Sequence, residues 1–294
     1  MALSTDPPLG AAIDPATAIG TVRLTVADLD RSRSFYQTAL GLQPCELEDG
    51  GLALGLPGEQ ALIELHGDSS APRLDRHATG LYHLAVLVPT RRDLALALSR
   101  LAQARWPLDG ASDHLVSEAL YLSDPDGNGI EVYRDRPRDQ WPRGAGGLEM
   151  ATLPLDLRHL LGEVAGTSSP PPTVPDGTQI GHVHLQVADL NQAEAFYHGV
   201  LGFDVMVRGY PGALFVSAGG YHHHIGLNTW HSAGGSPPAP GSIGLRSFEV
   251  QLPGAVELDQ LLGRVRESGL KIESAPRGAV VRDPSGNAVV LSSH

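Results

Sequence analysis

Cysteine is almost absent. Cys45 is the single thiol among 294 residues, which excludes an internal disulfide framework and any cysteine-built zinc or iron–sulfur site. This scarcity fits a reducing cytoplasm. Excess basic charge is also missing: the formal net charge is −12, so non-specific attraction to nucleic acid or to an anionic membrane surface is not expected. No apolar run reaches the length of a membrane span. The stretch from Met1 to Ala18 has neither the basic start nor the apolar core of a secretory signal; with Thr5-Asp6-Pro7-Pro8 it reads as a flexible N-terminal tail, residues 1–18. At this length two domains are expected. Histidine, by contrast, is plentiful, with thirteen residues.

Three of them are consecutive, in Gly219-Gly220-Tyr221-His222-His223-His224-Ile225-Gly226-Leu227. The right flank alternates like a strand, and continuing that alternation puts His222 and His224 on one face and His223 on the other. Two imidazoles aimed into one cup suggest a metal site or an acid/base site. The run is internal, short and bracketed by apolar sequence, unlike an expression tag.

The chain repeats itself. Ile19-Gly20-Thr21-Val22-Arg23-Leu24-Thr25-Val26-Ala27-Asp28-Leu29, with Phe35-Tyr36 and Leu40-Gly41, returns as Ile180-Gly181-His182-Val183-His184-Leu185-Gln186-Val187-Ala188-Asp189-Leu190, with Phe196-Tyr197 and Leu201-Gly202. Asp28 to Asp189 and Tyr36 to Tyr197 share one offset of 161 positions, the mark of a duplication. Each copy reads as a strand, an Asp-Leu helix entry, an amphipathic helix and a glycine stop. A second pair opens at Thr79 to Val88 and at Gly244 to Val250. These units close on the turns Asp124-Pro125-Asp126-Gly127-Asn128 and Asp283-Pro284-Ser285-Gly286-Asn287, turn chemistry between two strands. Four βαβββ modules result, beginning near residues 19, 79, 180 and 243. They group as 19–134 and 179–294, joined by a linker over 135–178 with a short helix around Leu155 to Val164 and the stiff Pro170-Pro171-Pro172.

These residues resemble the vicinal oxygen chelate superfamily of glyoxalase I, bleomycin and fosfomycin resistance proteins and type I extradiol dioxygenases. The run from Ser112 to Glu131 and the Gly-Gly-Tyr-His-His-His run look most like four-module catechol 2,3-dioxygenases of Bacillus type. The resemblance implies an α+β fold in which modules pair into two eight-stranded cups, one holding a divalent metal and the other, of modules one and four, metal-free. The first-strand ligand position falls on Thr21, His83, His182 and Leu245, and the last-strand carboxylate on Glu131 but Val290 in module four. Neither sequence-adjacent pair is complete, whereas modules two and three together supply His83, His182 and Glu131. Cross-pairing, 2 with 3 and 1 with 4, is therefore expected, the long linker providing the slack. By the same resemblance His224 is the catalytic base, His114 a histidine near the bound oxygen and Tyr121 a substrate hydrogen-bonding group. His184, His222 and Gln186 are expected to line the pocket.

Two imidazoles and one carboxylate leave open positions on a divalent metal, the pattern of non-haem iron oxygenases. The resulting expectation is a cytoplasmic, Fe(II)-dependent extradiol dioxygenase, with Mn(II) as the other metal. Its partners are a small aromatic diol and O2, and a homodimer is an option for assembly. Two alternatives stand beside it. One is a glyoxalase-like lyase or isomerase holding Ni, Zn or Mn at Glu64, His83 and Glu131; the other is a metal-free, small-molecule-binding protein of resistance type.

Overall fold

The computed structural model describes residues 12–144, 147–275 and 278–293; most of the expected tail, including Thr5 to Pro8, lies outside them. Residues 12–18 do not behave as a tail. Ile13 is buried and its N–H donates to the Gly202 carbonyl at 2.9 Å, because an apolar side chain beside a free carbonyl of module three finds both contacts at once.

Each odd-numbered module follows its sequence signals closely. The strand Ala18–Val26 ends at Asp28, whose side chain accepts from the Arg31 N–H and caps the helix Leu29–Phe35. The helix then widens into a π-helical turn, Tyr36–Leu40, and stops at Gly41, whose φ of +79° suits glycine. Module three repeats this with strand Gln179–Gln186, the Asp189 cap on the Gln192 N–H, helix Leu190–Glu194 and π-helical turn Ala195–Val200. In module two, Thr90 and Asp93 form a capping box for Arg91–Gln103, whose Leu94, Leu98 and Leu101 are buried.

Among the described residues two curled sheets hold all the strands except a two-stranded ribbon, Arg143–Gly144 with Gly147–Leu148. Among the described residues one has eight, in the order Glu273–Ala275, Gly278–Arg282, Ala288–Ser293, Gly244–Leu252, Ala18–Val26, Ile63–Gly67, Leu52–Gly55 and Gln43–Glu46. The other has nine: Leu153–Pro154, Gly110–Asp113, Ser117–Ser123, Gly129–Asp135, Gly80–Leu87, Gln179–Gln186, Ile225–Asn228, Ala213–Ser217 and Asp204–Val207. At the middle of the first, Ala18–Val26 of module one pairs antiparallel with Gly244–Leu252 of module four. At the middle of the second, Gly80–Leu87 of module two pairs antiparallel with Gln179–Gln186 of module three. The ninth strand, absent from the sequence expectation, is the linker segment Leu153–Pro154 laid against Gly110–Asp113.

The helices and turns tie the modules the other way. The Tyr36 hydroxyl of module one donates to Asp124 of module two at 3.1 Å, and the Tyr197 hydroxyl of module three donates to Asp283 of module four at 3.0 Å. Buried Arg100 donates to the Leu40 carbonyl and also to those of Pro171 and Thr173; Arg264 does the same for Leu201. These guanidinium groups satisfy carbonyls that a helix end leaves without partners. Each module is thereby bound to one neighbour through a sheet and to the other through a helix.

The linker packs as part of the body. Trp141 and Leu148 form a small core with Val116 and Tyr221, and helix Leu157–Gly162 is held to Arg91–Gln103 through Arg91–Glu163 at 2.8 Å. No helix of the described residues is long and apolar enough to cross a membrane.

Tyr36→Phe and Tyr197→Phe each remove one donor to a buried carboxylate that keeps its Asn partner. Each is expected to cost about 1–3 kcal/mol of unfolding free energy, read by chemical denaturation. A loss indistinguishable from zero in both would mean these ties do not bind the modules together.

Candidate active site

Three neighbouring strands of the nine-stranded sheet carry side chains that meet one another. Gly129–Asp135 brings Glu131, Gly80–Leu87 brings His83 and Gln179–Gln186 brings His182. His83 Nε2 lies 3.0 Å from Glu131 Oε2, and His182 Nε2 lies 3.1 Å from the same oxygen. All three residues are buried, and among the described residues they form the one group of His, Cys, Asp or Glu whose ligand atoms lie within 4.8 Å of one another. His182 Nε2 is hydrogen-bonded to Glu131, whereas His83 Nε2 is buried and makes no hydrogen bond despite its short distance to the same oxygen. A nitrogen converging on an oxygen without being aimed along a hydrogen bond is what a cation shared between them requires, so these residues fit a divalent metal.

Burial and charge set the protonation here. Burial pushes the Glu131 carboxyl up, but His182 and His83 outweigh it and hold it well below the usual carboxylate range. Burial lowers His182 to about 4, the attraction of Glu131 only partly opposing it. A carboxylate and neutral imidazoles are the states a metal needs.

Beside this group lies a cavity of about 590 Å³, lined by His83, Glu131, His114, Tyr121, His184 and Gln186 among others. His114 Nε2 is 2.6 Å from the Tyr121 hydroxyl, and His114 Nδ1 is 2.7 Å from the Ala151 carbonyl. The linker thus orients this histidine, and Met150, Ala151 and Thr152 form part of the wall. Gly226 allows His184 its place: a Cβ there would lie 2.9 Å from the imidazole.

The histidine run departs from the expected alternation. Gly219 and Gly220 have φ of +59° and +67°, a left-handed pair that other residues rarely adopt. They turn the chain, and the strand begins only at Ile225. As a result His223, not His224, lines the cavity. Its ring centroid lies 4.1 Å from that of His182. His224 faces a second, smaller cavity of about 350 Å³ on the other side of the wall. There its Nδ1 accepts from the Ala218 N–H at 3.1 Å and lies 2.9 Å from Ser217 Oγ, and burial takes it to about 3. His222 lines neither cavity; it is fully buried between His223 and Asp135. The expected placement of His222 and His224 in the pocket is corrected accordingly.

Glu64 is also displaced from its expected alternative role. It pairs with Arg23 Nε at 2.7 Å in the eight-stranded sheet, so Glu64, His83 and Glu131 do not assemble. Three wall residues escaped the sequence reading. Tyr82 projects inward because the register shifts between His83 and Leu81 opposite His184 and Leu185, a bulge that re-aims the side chain. Trp230 and Phe215 complete an aromatic wall, each within 6 Å of His184 by ring centroids; no local signal marks them.

A cup of βαβββ modules with a buried His-His-Glu group places the chain in a family, and the match is direct. The model of the Glyoxalase/Bleomycin resistance protein/Dioxygenase superfamily fits residues 18–132 and 179–291, and the chain belongs to that superfamily. More particularly, it is 45% identical to the catechol-2,3-dioxygenase of Bacillus subtilis strain 168 over 278 residues, covering 93% of this chain and 96% of that one. Among solved structures, a candidate dioxygenase from Bacillus subtilis superposes with a TM-score of 0.64 at 13% identity, covering 96% and 86% of the two chains. Glyoxalase I from Zea mays does so with a TM-score of 0.57 at 16% identity, covering 95% and 92%. These two share the fold.

The geometry predicts metal content directly. His83→Ala, His182→Ala and Glu131→Ala should each abolish stoichiometric binding of a divalent metal, and Glu64→Ala should retain it, measured by elemental analysis after dialysis. Retention in His182→Ala with loss in Glu64→Ala would contradict the assignment.

Proposed function

We propose that the chain is an extradiol ring-cleaving dioxygenase that uses Fe(II), or Mn(II), to bring together a small aromatic diol and O2. The observation that carries this reading is the convergence of His83, His182 and Glu131 on one another, with His83 and Glu131 facing an aromatic-walled cavity and His83 Nε2 left without a hydrogen bond beside the carboxylate. The 45% identity to a catechol-2,3-dioxygenase supports it. The metal, when bound, supplies Lewis acidity toward the diol oxygens and electron transfer to O2.

The protein's own groups account for the remaining needs. Tyr82, Phe215 and Trp230 offer flat apolar surfaces to an aromatic ring. A carbonyl can only accept, so His114 Nδ1 donates to Ala151; with that one ring proton, Nε2 accepts from the Tyr121 hydroxyl. Tyr121 is held as a phenol, raised well above its usual value first by burial and then by Glu131. Its oxygen is left able to accept from a substrate hydroxyl. His223 is the general base: burial and the surrounding imidazoles hold it well below the ordinary histidine value, so it meets the diol neutral and ready to take a proton.

The lyase alternative loses its ligand set with Glu64 engaged by Arg23. Protein purified anaerobically and loaded with Fe(II) should consume O2 on addition of catechol and form a yellow ring-opened product. Metal binding with no oxygen uptake on any simple catechol would overturn the proposal. His223→Ala should lower kcat by about 10²-fold or more, the usual span for a lost general base, with metal content intact; His224→Ala should stay within a few-fold of the parent enzyme.

A further inference from the structure

Behind the cavity wall, Asp135, His222 and His223 form an unbroken hydrogen-bonded chain. His222 Nε2 lies 2.8 Å from Asp135 Oδ1, and His222 Nδ1 lies 2.8 Å from His223 Nδ1. His222 is fully buried, whereas Asp135 opens onto the second cavity. The chain therefore crosses the wall between the two cavities. Tyr133 and Trp141 flank the His222 ring, with centroids at 6.1 and 5.4 Å.

We infer that Asp135 and His222 are positioning residues that fix the tautomer of His223. A carboxylate only accepts, so His222 must donate from Nε2. With a single proton on the His222 ring, its lone pair lies on Nδ1, and His223 donates to it from its own Nδ1. The single ring proton of His223 is thereby spent on the wall side, and its Nε2 is an unprotonated acceptor. Without that direction His223 would present an N–H to the substrate and could not act as a base. Gly219 and Gly220, both left-handed, turn the chain immediately before this run.

The sidedness comes from one carboxylate two residues removed from the reacting group. An amide at position 135 can donate as well as accept, so Asp135→Asn lets both imidazoles reverse. His222 then accepts at Nε2 and donates from Nδ1, and His223 carries its proton on Nε2. The same logic explains why an asparagine replacing the aspartate behind a catalytic histidine can leave geometry intact and still disable it by the wrong tautomer.

The tautomer assignment rests on the hydrogen bonds alone, and only its effect on turnover rests on the dioxygenase reading. The test is the nitrogen-15 spectrum of histidine-labelled, Zn(II)-loaded protein, in which ring-nitrogen shifts separate the two tautomers and the signals of His222 and His223 are identified by their loss in His222→Ala and His223→Ala. His223 should be protonated on Nδ1 and His222 on Nε2 in the parent protein. Asp135→Asn should move His223 toward the Nε2 tautomer. With Fe(II) loaded, the same variant should lose about 10²-fold or more in kcat, with KM and metal content unchanged, and Asp135→Glu should restore part of it. A parent protein with His223 protonated on Nε2 would overturn the inference, as would an Asp135→Asn variant that keeps both tautomer and turnover. Absence of oxygen uptake by the parent enzyme would instead overturn the dioxygenase reading and leave the spectrum to decide the tautomer.

Discussion

The antiparallel pairing of Gly80–Leu87 with Gln179–Gln186 is the contact on which the site depends. Each strand carries one imidazole of the group, and the next strand over, Gly129–Asp135, carries the carboxylate that both approach. The two bulges in the pairing matter as much as its regular part. One turns Tyr82 into the cavity. The other falls at Gly181, where a Cβ would collide with the Tyr133 hydroxyl at 1.8 Å. That hydroxyl lies 2.7 Å from the Tyr221 hydroxyl, so the absence of one methyl group lets the wall behind the histidines close.

Two strands far apart in sequence do not stay paired by ladder bonds alone. The tyrosine–aspartate and arginine–carbonyl contacts bind module one to two and module three to four, while the sheets bind one to four and two to three. The four modules make a closed ring, and no module is held by a single neighbour. Buried polar groups of this kind are costly if left unpaired. Removing one module's partner would therefore be felt at the opposite seam, where the site lies.

Much of the architecture was legible because the repeat carries its own punctuation: Asp28 and Asp189 cap helices, Gly41 ends one, and the two Asp-Pro turns join strands. His83, His182 and Glu131 could be grouped because equivalent positions elsewhere hold Thr21, Leu245 and Val290, which cannot serve as imidazole or carboxylate ligands. The histidine run was not legible for a specific reason. Alternation holds only while the backbone is extended, and the Gly219-Gly220 turn breaks it before the first histidine. The wall formed by Met150 to Thr152 was illegible for another: it depends on Leu153–Pro154 finding Asp113 and Ser112 across about forty residues of chain, and nothing local in a proline-bearing linker specifies that partner.

The most direct test is anomalous diffraction at the manganese edge from crystals grown anaerobically with Mn(II). One strong peak between His83 Nε2, His182 Nε2 and the Glu131 carboxylate is predicted. A peak elsewhere, beside Glu64 or His224, or no ordered metal at this site, would contradict the account.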